Sequence, residues 1–143
     1  MDKITLEKIT EEDICLIEQL LENDEILGRY KLDNNVIDEI KHIDGRYEYI
    51  KSFMVNINSK KVGFCQYYGI DKENIRYYID FFIDENYRDS TNESTIIKIL
   101  MEKIKNEGGK EVIFVSRGMN ALWALLENGF ENHNSRRIFR KVL

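Results

Sequence analysis

The chain has no proline among its 143 residues, so every bend in its backbone must be made by other residues. It has only two cysteines, Cys15 and Cys65, in a predicted helix and a predicted strand and without metal or redox spacing. Buried free thiols are the simple reading of both. The two histidines, His42 and His133, have no Ser, Cys or metal-ligand partner at recognisable spacing. No zinc, calcium or P-loop pattern occurs, so no metal is expected. No apolar run approaches the length of a membrane-spanning helix, and Met1-Asp2-Lys3-Ile4-Thr5 is not a charged-then-apolar signal segment. A cytoplasmic protein without membrane contact is expected. An excess of positive charge is also missing. Lys and Arg number 21 against 26 Asp and Glu, a net charge of -5, and the basic residues are scattered. That excludes a nucleic-acid footprint or an anionic membrane surface as partner. The one basic cluster, Arg136, Arg137, Arg140 and Lys141, falls on the terminal strand, where it solubilises a sheet edge.

What is present suits one globular domain spanning residues 1–143, with 43% hydrophobic and 33% charged residues. Residues 4–9 alternate apolar and polar side chains and read as a half-buried strand. Thr10-Glu11-Glu12-Asp13 is a capping signal for a helix carrying Ile14, Ile17, Leu20 and Leu21 on one face. A second helix is expected over residues 34–43. A hairpin follows, turning at Asn58-Ser59-Lys60, and after a turn near residues 71–74 comes the longest strand, residues 75–84. That strand places Tyr77, Ile79, Phe81 and Ile83 on one face and Arg76, Tyr78, Asp80, Phe82 and Asp84 on the other. A helix over residues 93–106 ends at Gly108-Gly109. A fifth strand has the continuous apolar centre Val112-Ile113-Phe114-Val115, as for a strand buried on both faces. A helix over residues 119–128 and a final strand over residues 137–143 complete the chain.

The junction between the long strand and the next helix, Ile83-Asp84-Glu85-Asn86-Tyr87-Arg88-Asp89-Ser90-Thr91-Asn92-Glu93-Ser94, holds most of the chemistry. Ser90 and Glu93 have the Ser-x-x-Glu spacing of a capping box, in which the Ser90 hydroxyl accepts from the Glu93 amide and the Glu93 carboxylate reaches back. Asp84, Glu85, Asp89 and Glu93 surround the single Arg88.

With Asn120-Ala121-Leu122-Trp123-Ala124-Leu125-Leu126-Glu127-Asn128-Gly129-Phe130, this junction resembles the signature of the GCN5-related N-acetyltransferase (GNAT) superfamily. Arg88 falls on the first position of the family's Arg/Gln-x-x-Gly-x-Gly/Ala motif. Thr91 and Glu93 stand at its two glycines, and Ile96, Ile97, Leu100 and Met101 at its helix-core positions. Glu85 replaces the proline that often follows the fourth strand. The resemblance implies a mixed, mostly antiparallel twisted sheet of about six strands flanked by about four helices. It also implies acetyl-CoA as cofactor, its diphosphate at Arg88, Asp89, Ser90, Thr91, Asn92, Glu93 and Ser94. Phe81 and Ile83 would bind the pantetheine arm through their backbone, and Asn120 would contact the same arm or cap the last helix.

The family's glycines let a diphosphate approach backbone amides at a helix N-terminus, which side chains at Thr91 and Glu93 would crowd. A carboxylate within about 6 to 8 Å of a phosphate opposes binding by roughly 1 to 3 kcal/mol at an effective dielectric of about 20 to 40. By resemblance the general base is a carboxylate on the fourth strand, here Asp80, with a salt bridge to Arg76 or Arg88 as its plain structural alternative. The proton donor in relatives is a Tyr at the position of Leu125, so Tyr67, Tyr68, Tyr77, Tyr78 or Tyr87 would have to supply it. Trp123, Leu122 and Leu126 read as packing residues. Two functions stay open at this point. One is acetyl transfer to a small-molecule or peptide amine. The other is a catalytically inactive binding or assembly protein, for which a homodimer through the terminal strand would fit.

Overall fold

A computed structural model describes residues 3–22, 50–70, 75–115, 121–132 and 138–143. Seven strands form one sheet: β1 (Ile4–Lys8), β2 (Ile50–Ile57), β3 (Lys60–Gly69), β4 (Arg76–Ile83), β5 (Glu111–Val115), β6 (Glu131–Asn132) and β7 (Ile138–Val142). Their order across the sheet is β1-β2-β3-β4-β5-β7-β6. Among the described residues only β4 and β5 pair in parallel. A parallel pair needs a crossover, supplied by the 17-residue helix α2 (Ser90–Asn106). The other helices among the described residues are α1 (Asp13–Glu22) and α3 (Leu122–Glu127), and a 3₁₀ turn (Glu85–Tyr87) joins β4 to α2. The strand beyond the six expected is β6, two residues long and too short to show alternation. The helix expected over residues 34–43 and the turn near residues 71–74 lie outside the described residues. No helix among the described residues is long and apolar enough to cross a membrane.

Helix α2 starts three residues earlier than the apolar periodicity suggests and buries Ile96, Ile97, Leu100 and Ile104 completely. These positions recur at helical spacing, and each such side chain withdrawn from water contributes roughly 1.5 to 3 kcal/mol. They cover the sheet face carrying Phe53, Cys65, Tyr67 and Tyr77. Lys103 Nζ lies 4.9 Å from the centre of the Phe53 ring, and Phe81 meets Phe114 at 5.5 Å between ring centres. Burial pushes the Cys65 thiol well above its ordinary range, while Cys15, expected to be buried too, is exposed. The helix ends as its two glycines suggest. Gly108 adopts φ +92°, its N–H donates to Lys105 C=O at 3.0 Å, and Gly109 N–H donates to Ile104 C=O at 2.9 Å.

At the start of α1, the Asp13 carboxylate accepts from the Thr10 N–H at 2.9 Å and from Lys61 Nζ at 2.5 Å. Burial alone would raise the Asp13 carboxyl, but the bonds from Lys61 and Thr10 outweigh it and hold it below its ordinary value. That stability is present above the ordinary Asp range and is lost as pH falls below it.

The β2–β3 hairpin turns on two residues, Asn58 (φ 53°) and Ser59 (φ 70°), with Ile57 opposite Lys60. Two consecutive positive φ values define the mirror-image turn that matches strand twist, for which Asn-Gly is the best pair. Ser59 holds this conformation against its Cβ, so Ser59→Gly should raise stability by about 0.5 to 1 kcal/mol. An unchanged or lower urea midpoint would contradict this.

Candidate active site

Among the described residues, parallel pairing with β5 runs from Arg76 opposite Glu111 to Ile79 opposite Phe114, although β4 continues to Ile83. From Asp80 to Ile83 its partners among the described residues are on β3, Gln66 to Gly63. The Asp84 N–H donates to Val62 C=O at 2.8 Å, so by antiparallel alternation the backbone of Phe82 and Asp80 faces β3. The backbone of Phe81 and Ile83 faces the other side, beyond the last described pair with β5. The Ile83 carbonyl accepts from Arg88 Nε at 3.2 Å and Nη2 at 2.7 Å, and the guanidinium lies 5.4 Å from the centre of the Phe82 ring. The arginine of the motif thus fixes the end of β4.

One face of β4 carries Tyr78, Asp80 and Phe82 against Tyr68, Gln66 and Phe64 of β3. Tyr78 meets Tyr68 at 5.6 Å between ring centres and Phe82 meets Phe64 at 5.9 Å. Asp80 is half-buried opposite Gln66, whose buried Oε1 accepts from Ser52 Oγ at 3.3 Å. The two arginines suggested as Asp80 partners are engaged elsewhere, Arg88 at Ile83 and Arg76 with Glu111 at 3.6 Å. Of the five candidate tyrosines, Tyr78 and Tyr68 share the face of Asp80. Tyr67 and Tyr77 are buried on the face that α2 covers, where burial and a bond to Glu107 raise the Tyr67 hydroxyl. Tyr87 sits in the 3₁₀ turn beneath Lys60 Nζ, 5.6 Å from its ring centre.

The first turn of α2 differs from the expected capping box. Asp89, not Ser90, is the N-cap, and its Oδ1 accepts from the Asn92 N–H at 2.8 Å. The buried Asn92 adds bonds from Nδ2 to Tyr87 C=O at 2.9 Å and to Asp89 Oδ2 at 3.3 Å, which hold the cap in place. The Glu93 N–H donates to Asp89 C=O at 3.0 Å. Glu93 therefore caps nothing. Its side chain is 3% exposed, and Oε2 has no hydrogen-bond partner among the described residues. Of the first four N–H groups of the helix, those of Ser90 and Thr91 meet no acceptor among the described residues, and both residues are exposed.

Burial pushes the Glu93 carboxyl up to about 7; Arg88 opposes the shift and Asp89 adds to it. A raised carboxyl costs the folded state when it ionises, so this contribution is best below the ordinary Glu range and declines as pH rises toward 7. The stability advantage of Glu93→Gln over the natural chain should widen by about 1 to 2 kcal/mol between about pH 5 and pH 8, after allowance for solvent screening. Parallel urea-stability curves for the two proteins would show that Glu93 ionises like an exposed carboxylate.

Helix α3 is shorter than expected, with Ala121 at its N-cap and no side-chain cap bond; Asn120 lies outside the described residues. Leu125, at the position of the relatives' tyrosine, is 1% exposed and packs in the core with Ala121, Ala124 and Phe130. Leu122, Trp123 and Leu126 do not pack as expected. They are 42%, 66% and 46% exposed among the described residues. A contact that the sequence did not announce joins the two helices. Asn128 Nδ2 donates to Ser94 Oγ at 2.9 Å and to Ala124 C=O at 2.7 Å, all buried. Ser94 is thus a fixed part of the helix–helix contact. No cluster of three or more His, Cys, Asp or Glu among the described residues is placed to hold a metal ion.

No protein-family model matches the sequence, and no curated protein does. Solved structures do. The aminoglycoside acetyltransferase AAC(6')-Ib in complex with coenzyme A matches with TM-score 0.78 at 13% identity, over 98% of this chain and 95% of that one. RimL, a ribosomal L7/L12 alpha-N-protein acetyltransferase in complex with coenzyme A, matches with TM-score 0.73 at 14% identity, over 98% and 94%. The microcin C7 self-immunity acetyltransferase MccE, in complex with acetyl-CoA and AMP, matches with TM-score 0.73 at 17% identity, over 99% and 93%. Strand order and these near-full-length matches agree: this chain has the GCN5-related N-acetyltransferase fold.

Proposed function

We propose that the protein is an acetyl-CoA-dependent N-acetyltransferase acting on a small-molecule or peptide amine. The observation that carries this reading is the far end of β4, where Phe81 and Ile83 turn backbone groups away from β3 and beyond the last described pair with β5. Those groups suit the amides of a pantetheine arm, which needs donors and acceptors at strand spacing. The exposed Ser90 and Thr91 amides at the N-terminus of α2 suit a diphosphate, with Arg88 holding the strand end beside them. Asp89, Asn92 and Ser94 set the shape of that turn through their own bonds, and Asn120 is assigned to the same arm by resemblance.

Bound acetyl-CoA would supply an acyl group activated as a thioester. The protein's own part is proton handling and positioning. Asp80 accepts a proton from the acceptor's ammonium, leaving a neutral amine able to attack. Tyr78, two residues back on the same face and about 7 Å away, carries the O–H suited to donate a proton on departure of the thiolate. The reading is tested by isothermal titration with acetyl-CoA, then by thiol release with a panel of amines. Saturable one-to-one binding and amine-dependent release are expected.

A second reading is favoured by one observation, the Asp89 carboxylate already capping the turn where a diphosphate would dock. It makes the chain a catalytically inactive binding or assembly protein, for which a homodimer would fit. No binding heat and no competition by coenzyme A up to about millimolar concentration would select it over the transferase.

A further inference from the structure

The side chain that the proposed chemistry leaves unused is Glu93. It is 3% exposed, it stands in the first turn of α2, and its Oε2 has no partner among the described residues. A helical Cα–Cβ bond tilts toward the N-terminus, so the carboxyl leans over the turn that presents the Ser90 and Thr91 amides. Two amides without an acceptor among the described residues and one buried oxygen without a partner thus share the first turn of one helix. An ionised carboxylate there offers only acceptors and negative charge, which a diphosphate also offers. A carboxylic acid offers an O–H donor.

Resting on the acetyltransferase reading, we propose that Glu93 meets the diphosphate of acetyl-CoA as a neutral carboxylic acid, so that binding takes up one proton from solvent. The proton settles on the Glu93 carboxyl and is donated in a hydrogen bond to a phosphate oxygen; no covalent bond is made or broken. Among the described residues, the charged groups facing Glu93 are Arg88 and Asp89, both from the segment before α2. From β1, β3 and α3, which pack on α2, no charged group of the described residues bears on it. Asp89 is committed to the Asn92 N–H, and Arg88 to the Ile83 carbonyl. Glu93 is therefore the group at this turn left to change protonation, and burial pushing its carboxyl to about 7 places that change in an accessible range. The glycine position has become a proton-coupled contact.

The probe is dephospho-CoA, which keeps the diphosphate and lacks the separately titrating 3'-phosphate. It is titrated calorimetrically at about pH 6 and about pH 8 in pairs of buffers with different ionisation heats. The natural chain should take up close to one proton per ligand at about pH 8, and its Kd should rise roughly tenfold per pH unit above about 7. Glu93→Gln should bind with the same Kd at both pH values and take up none. Binding to the natural chain without proton uptake or pH dependence overturns the inference and leaves the transferase reading standing. Absence of binding at both pH values overturns both. Should Glu93→Gln fail to fold, the buffer-pair titration of the natural chain decides alone.

Discussion

Gly63→Ala should destabilise the protein by roughly 3 kcal/mol or more, the largest stability effect expected of a one-methyl change in the described sheet. Gly63 sits on β3 opposite Ile83, and a Cβ there would lie 2.0 Å from the Phe82 carbonyl oxygen and 2.9 Å from Ile83 Cα. Every close neighbour is backbone, so no side-chain rotation relieves the clash. Among the described residues β5 pairs with β4 from Arg76 to Ile79 and so anchors the strand short of the clash, which leaves the end of β4 to be pushed from β3. Relief requires prising β3 from the end of β4, which breaks the bond from the Asp84 N–H to the Val62 carbonyl. The same movement displaces Phe81 and Ile83, so acetyl-CoA binding should fall with stability. A urea midpoint close to that of the natural chain, at unchanged slope, would show that the strands give way easily.

The strands were legible because their chemistry is local. Alternation places Tyr77, Ile79, Phe81 and Ile83 on one face of β4, and the observed pairing keeps that division. The α2 core was equally legible, since Ile96, Ile97 and Leu100 repeat at helical spacing and all three are fully buried. Element ends were harder. Asp89 and Ser90 are both good caps, and the Ser-x-x-Glu spacing favoured Ser90. The choice is made by Asn92, whose side chain ties Tyr87 C=O to the Asp89 carboxylate. Trp123 misled for a related reason: a large apolar residue near a helical alanine pair reads as core, but α3 turns Ala121, Ala124 and Leu125 inward instead.

Glu93 shows the limit most sharply. In a one-dimensional reading it is a first-turn acidic residue, the type that favours helix dipoles and capping boxes in solvent. Its burial comes from tertiary packing. The contact between Ser94 and Asn128 draws α3 against the start of α2, and no local pattern joins residues 34 positions apart. The end of described β4–β5 pairing at Ile79 is likewise a property of two strands together. Resemblance to a known family suggested it; alternation within β4 alone did not.

Asp80→Asn should lower kcat/KM for amine acetylation by about 10² to 10⁴-fold while leaving the Kd for acetyl-CoA within about threefold. Asp80 is the first residue past the last β4–β5 pair, half-buried, with its side chain on the face of Tyr78 and Phe82. The edge assigned to the pantetheine arm is formed by backbone groups of Phe81 and Ile83, so a change at the Asp80 side chain leaves cofactor contacts in place. Asn preserves shape and removes the carboxylate that takes the ammonium proton. An acceptor supplied at high pH already arrives partly as free amine, so the deficit of Asp80→Asn should shrink as pH rises toward the amine's own pKa. That recovery separates a lost base from a lost binding contact, which would raise KM at every pH. A variant keeping kcat within about threefold of the natural chain would remove Asp80 from the chemistry and leave water or the acceptor itself to handle the proton.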